Sequence, residues 1–147
     1  QNRFDEAYLH AKKAVAKNPH DPICHLIIAK TELYRGNFEE AAGHALDALD
    51  LTQAIPEAHY LLGVSLAWYG DEESAKQSLA FAAAYDKESP QTPLFQLAIA
   101  RKEGNNSDAE LYKRKYEEAC LLKGTMHQKE HAFGAEAFVR KFGKNLF

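Results

Sequence analysis

A spacing of 34 residues governs this sequence. Pro22, Pro56 and Pro90 fall one period apart, and Gly36, Gly70 and Gly104 keep the same interval. So do Ala7, Ala41, Ala75 and Ala109, and Ala14, Ala48 and Ala82. Several columns sharing one interval imply stacked units that cover one another's apolar faces, rather than a chain wrapped around a single centre.

Each column has a physical reason. A proline costs nothing in the first turn of a helix, where its missing N–H would have no partner, and a preceding Asp21 or Ser89 supplies an oxygen able to cap; Ile55 does not. Fourteen residues on, Gly36, Gly70 and Gly104 permit the left-handed backbone that ends a helix and turns the chain. The alanines follow where two antiparallel helices must approach closely. Each unit therefore reads as helix, tight turn, helix, and the fold class expected is all-α.

The stretch Pro56-Glu-Ala-His-Tyr-Leu-Leu-Gly-Val-Ser-Leu-Ala-Trp-Tyr-Gly-Asp-Glu-Glu-Ser-Ala75 resembles the motif of the tetratricopeptide repeat family, with Leu62-Gly63 as its Leu-Gly pair and Leu66 where a tyrosine is usual. Residues 22–55 are similar through Ile28-Ala29, Gly36, Asn37-Phe38-Glu39-Glu40-Ala41 and Ala48. The resemblance implies a right-handed superhelical solenoid: residues 1–21 as the second half of a repeat, 22–55 and 56–89 as full repeats, and 90–124 as a degenerate one. In that last unit Pro93, Gln96, Leu97, Lys113 and Tyr116 replace the expected residues, as terminal repeats often do. An amphipathic second helix needs a partner for its apolar stripe, so a helix upstream of residue 1 is expected.

Past residue 124 the period stops. Phe133, Phe138, Val139, Phe142 and Leu146 follow at roughly helical spacing, interrupted by Gly134 and Gly143. Residues 125–147 are read as a capping helix on the last repeat, with a docking segment for a following domain or a second copy of the chain as the alternative.

In the family, the first helix of each repeat lines a concave groove. The resemblance places Ile23, Leu26, Ile27, Lys30 and Tyr34 there from the first full repeat, Tyr60, Val64 and Trp68 from the second, and Leu94, Phe95, Arg101 and Lys102 from the third. Such an apolar and aromatic lining suits an amphipathic helix or apolar peptide. Leu61, Gln91 and Phe95 stand where some members hold a peptide carboxylate, so that mode is disfavoured. Tyr34 and Trp68, each just before a turn glycine, have bracing of adjacent hairpins as their rival role.

The remaining candidates for chemistry are few. His10 and His44 are one period apart, as are His25 and His59, and repetition at two positions favours packing. His127-Gln-Lys-Glu130-His131 matches the pattern of inverted zinc peptidases, but a third ligand is wanting apart from Glu136, so neither a catalytic residue nor a metal ligand is assigned and no cofactor is expected. Phosphate loops, nucleophile elbows and dinucleotide fingerprints do not occur. Asn105-Asn106-Ser107 fits a glycosylation acceptor only in a secreted setting. Cys24 and Cys120 lie far apart, outside any paired metal spacing.

The net charge of −3 is too small to imply nucleic acid or a membrane surface as partner, and Lys113-Arg114-Lys115 would spread around a helix. Charge is uneven: residues 1–100 carry 8 basic and 14 acidic side chains, residues 101–147 carry 10 and 7. Without an apolar run that could span a bilayer, the chain reads as soluble, with the cytoplasm the favoured compartment. The expected function is a non-enzymatic protein-interaction scaffold for a protein or peptide. The alternatives are a non-catalytic region of a larger enzyme and a self-association module working through the C-terminal helix.

Overall fold

The computed structural model describes residues 2–123 and 133–147. Eight helices make up the described residues: α1 (Asn2–Lys17), α2 (Pro22–Tyr34), α3 (Phe38–Leu51), α4 (Pro56–Tyr69), α5 (Glu72–Tyr85), α6 (Gln91–Glu103), α7 (Asn106–Lys123) and α8 (Ala135–Lys141). Strands are absent among these residues. From α1 to α7 every helix packs on the next, and α8 packs on α6. The arrangement is all-α and repeat-like. None of these helices is long and apolar enough to cross a membrane.

The turns form where glycine is needed. Gly36, Gly70 and Gly104 have φ of 80°, 113° and 72°, and they separate α2 from α3, α4 from α5 and α6 from α7. Helix starts are less uniform. Asp21 caps α2, its Oδ1 accepting the Ile23 N–H at 3.0 Å, whereas α4 opens after Ile55 with no side-chain cap. The expectation that Ser89 caps a helix beginning at Pro90 does not hold: α6 begins at Gln91, and Pro90 itself occupies the N-cap position with no side-chain cap. The second proline, Pro93, explains why this is tolerated. It lies buried in the first turn, where its missing N–H breaks no helical bond.

The alanine columns are contact points. Ala41, Ala75 and Ala109 are buried, as are Ala48 and Ala82, so helices within a hairpin meet through methyl groups. At Gly63 of α4 even a methyl group lacks room: a Cβ would stand 2.7 Å from Cγ of Leu79 on α5. The first helices also touch across hairpins, α2 on α4 and α4 on α6, so one face of the molecule is built from these three.

Candidate functional site

The face lined by α2, α4 and α6 divides into an open end and a covered end. At the open end the first turns of α4 and α6 border a cleft of about 230 Å³, lined among others by Lys30, Tyr34, Glu57, Tyr60, Gln91 and Thr92. Lys30 Nζ stands 3.9 Å from Glu57 Oε1, bridging α2 to α4 along the rim. Burial pushes the Tyr34 hydroxyl above its ordinary pKa, and the Glu57 carboxylate adds to the effect. This phenol stays neutral, able both to donate and to accept a hydrogen bond.

The covered end is aromatic, and the chain's own C-terminal segment fills it. Trp68, on the last turn of α4, stacks on Phe38 of α3 at 5.6 Å between ring centroids. Phe133 meets both rings edge-on, at 5.3 Å from Phe38 and 5.2 Å from Trp68. The Trp68 indole N–H donates to the Phe133 carbonyl oxygen at 2.8 Å. Phe138 of α8, fully buried, inserts between Trp68 (5.5 Å) and Phe95 of α6 (5.1 Å).

Polar contacts rim this cluster. Arg101 Nε donates to the Leu146 carbonyl at 3.0 Å, anchoring the chain beyond α8. Lys102 pairs with Glu72 of α5 and lies 4.3 Å over the Phe142 ring, while Lys141 lies 5.5 Å over Trp68. Edge-to-face aromatic pairs and cations over rings each add roughly 0.5–1.5 kcal/mol beyond simple burial. Apolar burial supplies more: Ala135, Phe138, Val139 and Leu146 are all removed from water, at about 1.5–3 kcal/mol gross for each of the larger side chains.

The twelve residues expected to line a groove are thus distributed unevenly. Lys30, Tyr34 and Tyr60 border the open cleft. Trp68, Phe95, Arg101 and Lys102 hold the C-terminal segment. Leu26, Val64 and Leu94 are buried in the hydrophobic core, Ile27 is half-buried, and Ile23 is 56% exposed. Bracing and binding meet at Trp68, which stacks on Phe38 of the preceding helix and also holds the tail.

Two features of this region escaped sequence reading. Phe38 appeared only as part of a repeat motif, and its stacking on Trp68 was not anticipated. Phe133 looked like one more member of an apolar stripe, whereas its backbone carbonyl receives the indole N–H. Neither has a periodic signal, because both contacts depend on how the tail returns to the hairpins.

Elsewhere, the repeated histidines do share a structural role. His25 Nε2 and His59 Nε2 each lie 2.9 Å from a carbonyl in the preceding connection, that of Pro19 and that of Gln53 respectively. Beyond that shared bond they differ, since His25 also approaches His44 and Asp47. Burial and the His25 ring hold His44 below the ordinary histidine pKa. The His127–His131 pattern lies outside the described residues. Asn105 of the glycosylation pattern accepts the Asp108 N–H at 3.0 Å and donates to its carboxylate at 2.9 Å, capping the start of α7.

Comparison with protein-family models finds no match for the chain, and comparison with curated proteins finds none either.

Proposed function

We propose that this chain is a right-handed solenoid of tetratricopeptide-type hairpins, repeating every 34 residues, that works as a non-catalytic scaffold holding an apolar, aromatic helical segment on the face of α2, α4 and α6. The observation that carries this reading is the seating of Phe138 between Trp68 and Phe95, with the Trp68 N–H on the Phe133 carbonyl. A rigid aromatic clasp with a polar handle is the chemistry by which such grooves anchor helices. The 34-residue columns and the left-handed glycines support the repeat assignment. In this reading the tail is an intramolecular ligand, and a partner presenting aromatic residues at similar spacing competes for its place.

A fluorescently labelled peptide of residues 133–147 tests this directly. A full-length Phe138→Ala chain that retains its helicity is expected to bind the peptide, wild type to bind it several-fold more weakly because its own tail competes, and Phe138→Ala/Trp68→Ala not to bind it. Failure of the folded Phe138→Ala chain to bind contradicts the reading.

A second reading follows from the same contact. Exchange of tails between two copies satisfies the same pockets in trans, so self-association through the C-terminal segment is the low-cost alternative. It is distinguished by a mass that rises with concentration and falls back when Phe138 is replaced by Ala.

A further inference from the structure

The α2–α3 hairpin brings together three metal-ligand side chains, His25, His44 and Asp47. His25 Nδ1 and His44 Nδ1 lie 3.3 Å apart. Asp47 Oδ2 stands 3.8 Å from the first and 3.9 Å from the second. His44 and Asp47 are three residues apart on α3 and therefore share a face, while His25 projects from α2 across the hairpin.

We infer that His25, His44 and Asp47 form a binding site for one divalent transition-metal ion of the zinc class, with a coordination position left open.

Three observations carry this. The first is spacing. A tetrahedral ion with metal–nitrogen bonds of about 2.0–2.1 Å holds two imidazole nitrogens roughly 3.3–3.4 Å apart, which is the separation found before any ion is added. The Asp47 carboxylate is somewhat too far, but its side chain is 55% exposed and free to rotate inward.

The second is the proton inventory. Pro19 O can only accept, so the His25 proton lies on Nε2 and the Nδ1 lone pair points at His44. A backbone carbonyl behind an imidazole is the outer partner that fixes tautomer and ring orientation in metal sites. His44, only partly buried, becomes a second donor by carrying its proton on Nε2 instead of Nδ1, with no net change in charge.

The third is a comparison inside the chain. One period on, His59 keeps the carbonyl bond, but the positions of His44 and Asp47 are taken by Ser78 and Phe81. There the imidazole is covered by the rings of Phe81 and Tyr85, at 5.4 Å and 5.3 Å. Packing at this position is thus met by aromatics, and at His25 it is replaced by two further donors. Imidazole with carboxylate selects zinc, cobalt, nickel or copper over calcium and magnesium. Around the cluster, Glu32 adds negative charge and Lys12 opposes it.

Titration of the full-length chain with Co²⁺, followed by its visible absorption and by competition with Zn²⁺, tests the site. The expected result is one high-affinity equivalent with tetrahedral-type bands, weakened at least about tenfold by His44→Ala and by Asp47→Asn, both at sites outside the fully buried core. His127→Ala/His131→Ala is expected to leave that equivalent intact, which separates the site from the other histidine pair. Melting temperature should rise with Zn²⁺ in wild type and not in His44→Ala. Binding unchanged in folded His44→Ala and Asp47→Asn, or abolished in the His127/His131 variant, overturns the inference.

Discussion

Gly63 shows how much a single missing methyl decides. Placing Ala there gains up to about 1 kcal/mol of helix propensity, but the new Cβ would sit 2.7 Å from Leu79 Cγ and 3.2 Å from the Ala75 carbonyl. Leu79 is fully buried and has no room to yield, so the overpacking cost of about 1–3 kcal/mol wins. Gly63→Ala is expected to lower stability in urea unfolding, by up to about 2 kcal/mol net, whereas a stabilising result would show that α4 and α5 give way to the added methyl. Cys24 offers a second residue-scale test. Burial and the nearby Asp21 carboxylate, 3.4 Å from its sulfur, raise the thiol pKa. Its alkylation at neutral pH should run slower than that of an unperturbed cysteine, and Asp21→Asn should accelerate it. At this scale the turn glycines and contact alanines were legible, because each column repeats. The partners of His25 were not: a period shows that a position recurs, but says nothing about which neighbours face it.

Helices depend on their ends and on the bonds between them. Asp21 is a true cap of α2, so Asp21→Ala should cost about 1 kcal/mol, measurable as a lower melting temperature, while Ser89→Ala should cost little because Pro90 holds the cap position of α6. Between α5 and α6, Lys76 Nζ lies 2.6 Å from Glu103 Oε2, and this bond raises the lysine pKa in the folded state. A raised folded-state value means the stabilisation is fully present below the ordinary lysine value of 10.5 and is lost as pH rises through the folded one. Because Lys76 is 41% exposed, screening keeps the contribution under about 1 kcal/mol. Glu103→Gln should therefore be slightly less stable than wild type at neutral pH, with the difference vanishing at strongly alkaline pH; a gap that widens there would contradict the assignment. Helix identity was readable from sequence because proline, glycine and alanine each mark a distinct backbone demand. The start of α6 was not, since two prolines and a serine offered competing places to begin.

Across the whole molecule, the C-terminal segment was expected as a cap on the last repeat, but its reach to Trp68 of α4 and Phe38 of α3 was not anticipated. Its aromatics had helical spacing, but Trp68 and Phe133 are 65 residues apart, and no local pattern links them. Four of the residues expected to await a partner, Trp68, Phe95, Arg101 and Lys102, turn out to hold the chain's own tail, so part of the aromatic face and the apolar terminus are two halves of one contact. Trp68 is the only tryptophan, which makes its fluorescence a direct report on that contact. The most direct measurement is the emission maximum and quencher accessibility of Trp68 in wild type and in Phe138→Ala, with helicity followed in parallel. A red shift and increased quenching in the folded variant, reversed by adding the 133–147 peptide, is the result expected if the α2, α4 and α6 face is a site for an apolar helical segment. Unchanged emission, or a red shift that the peptide fails to reverse, would contradict that claim.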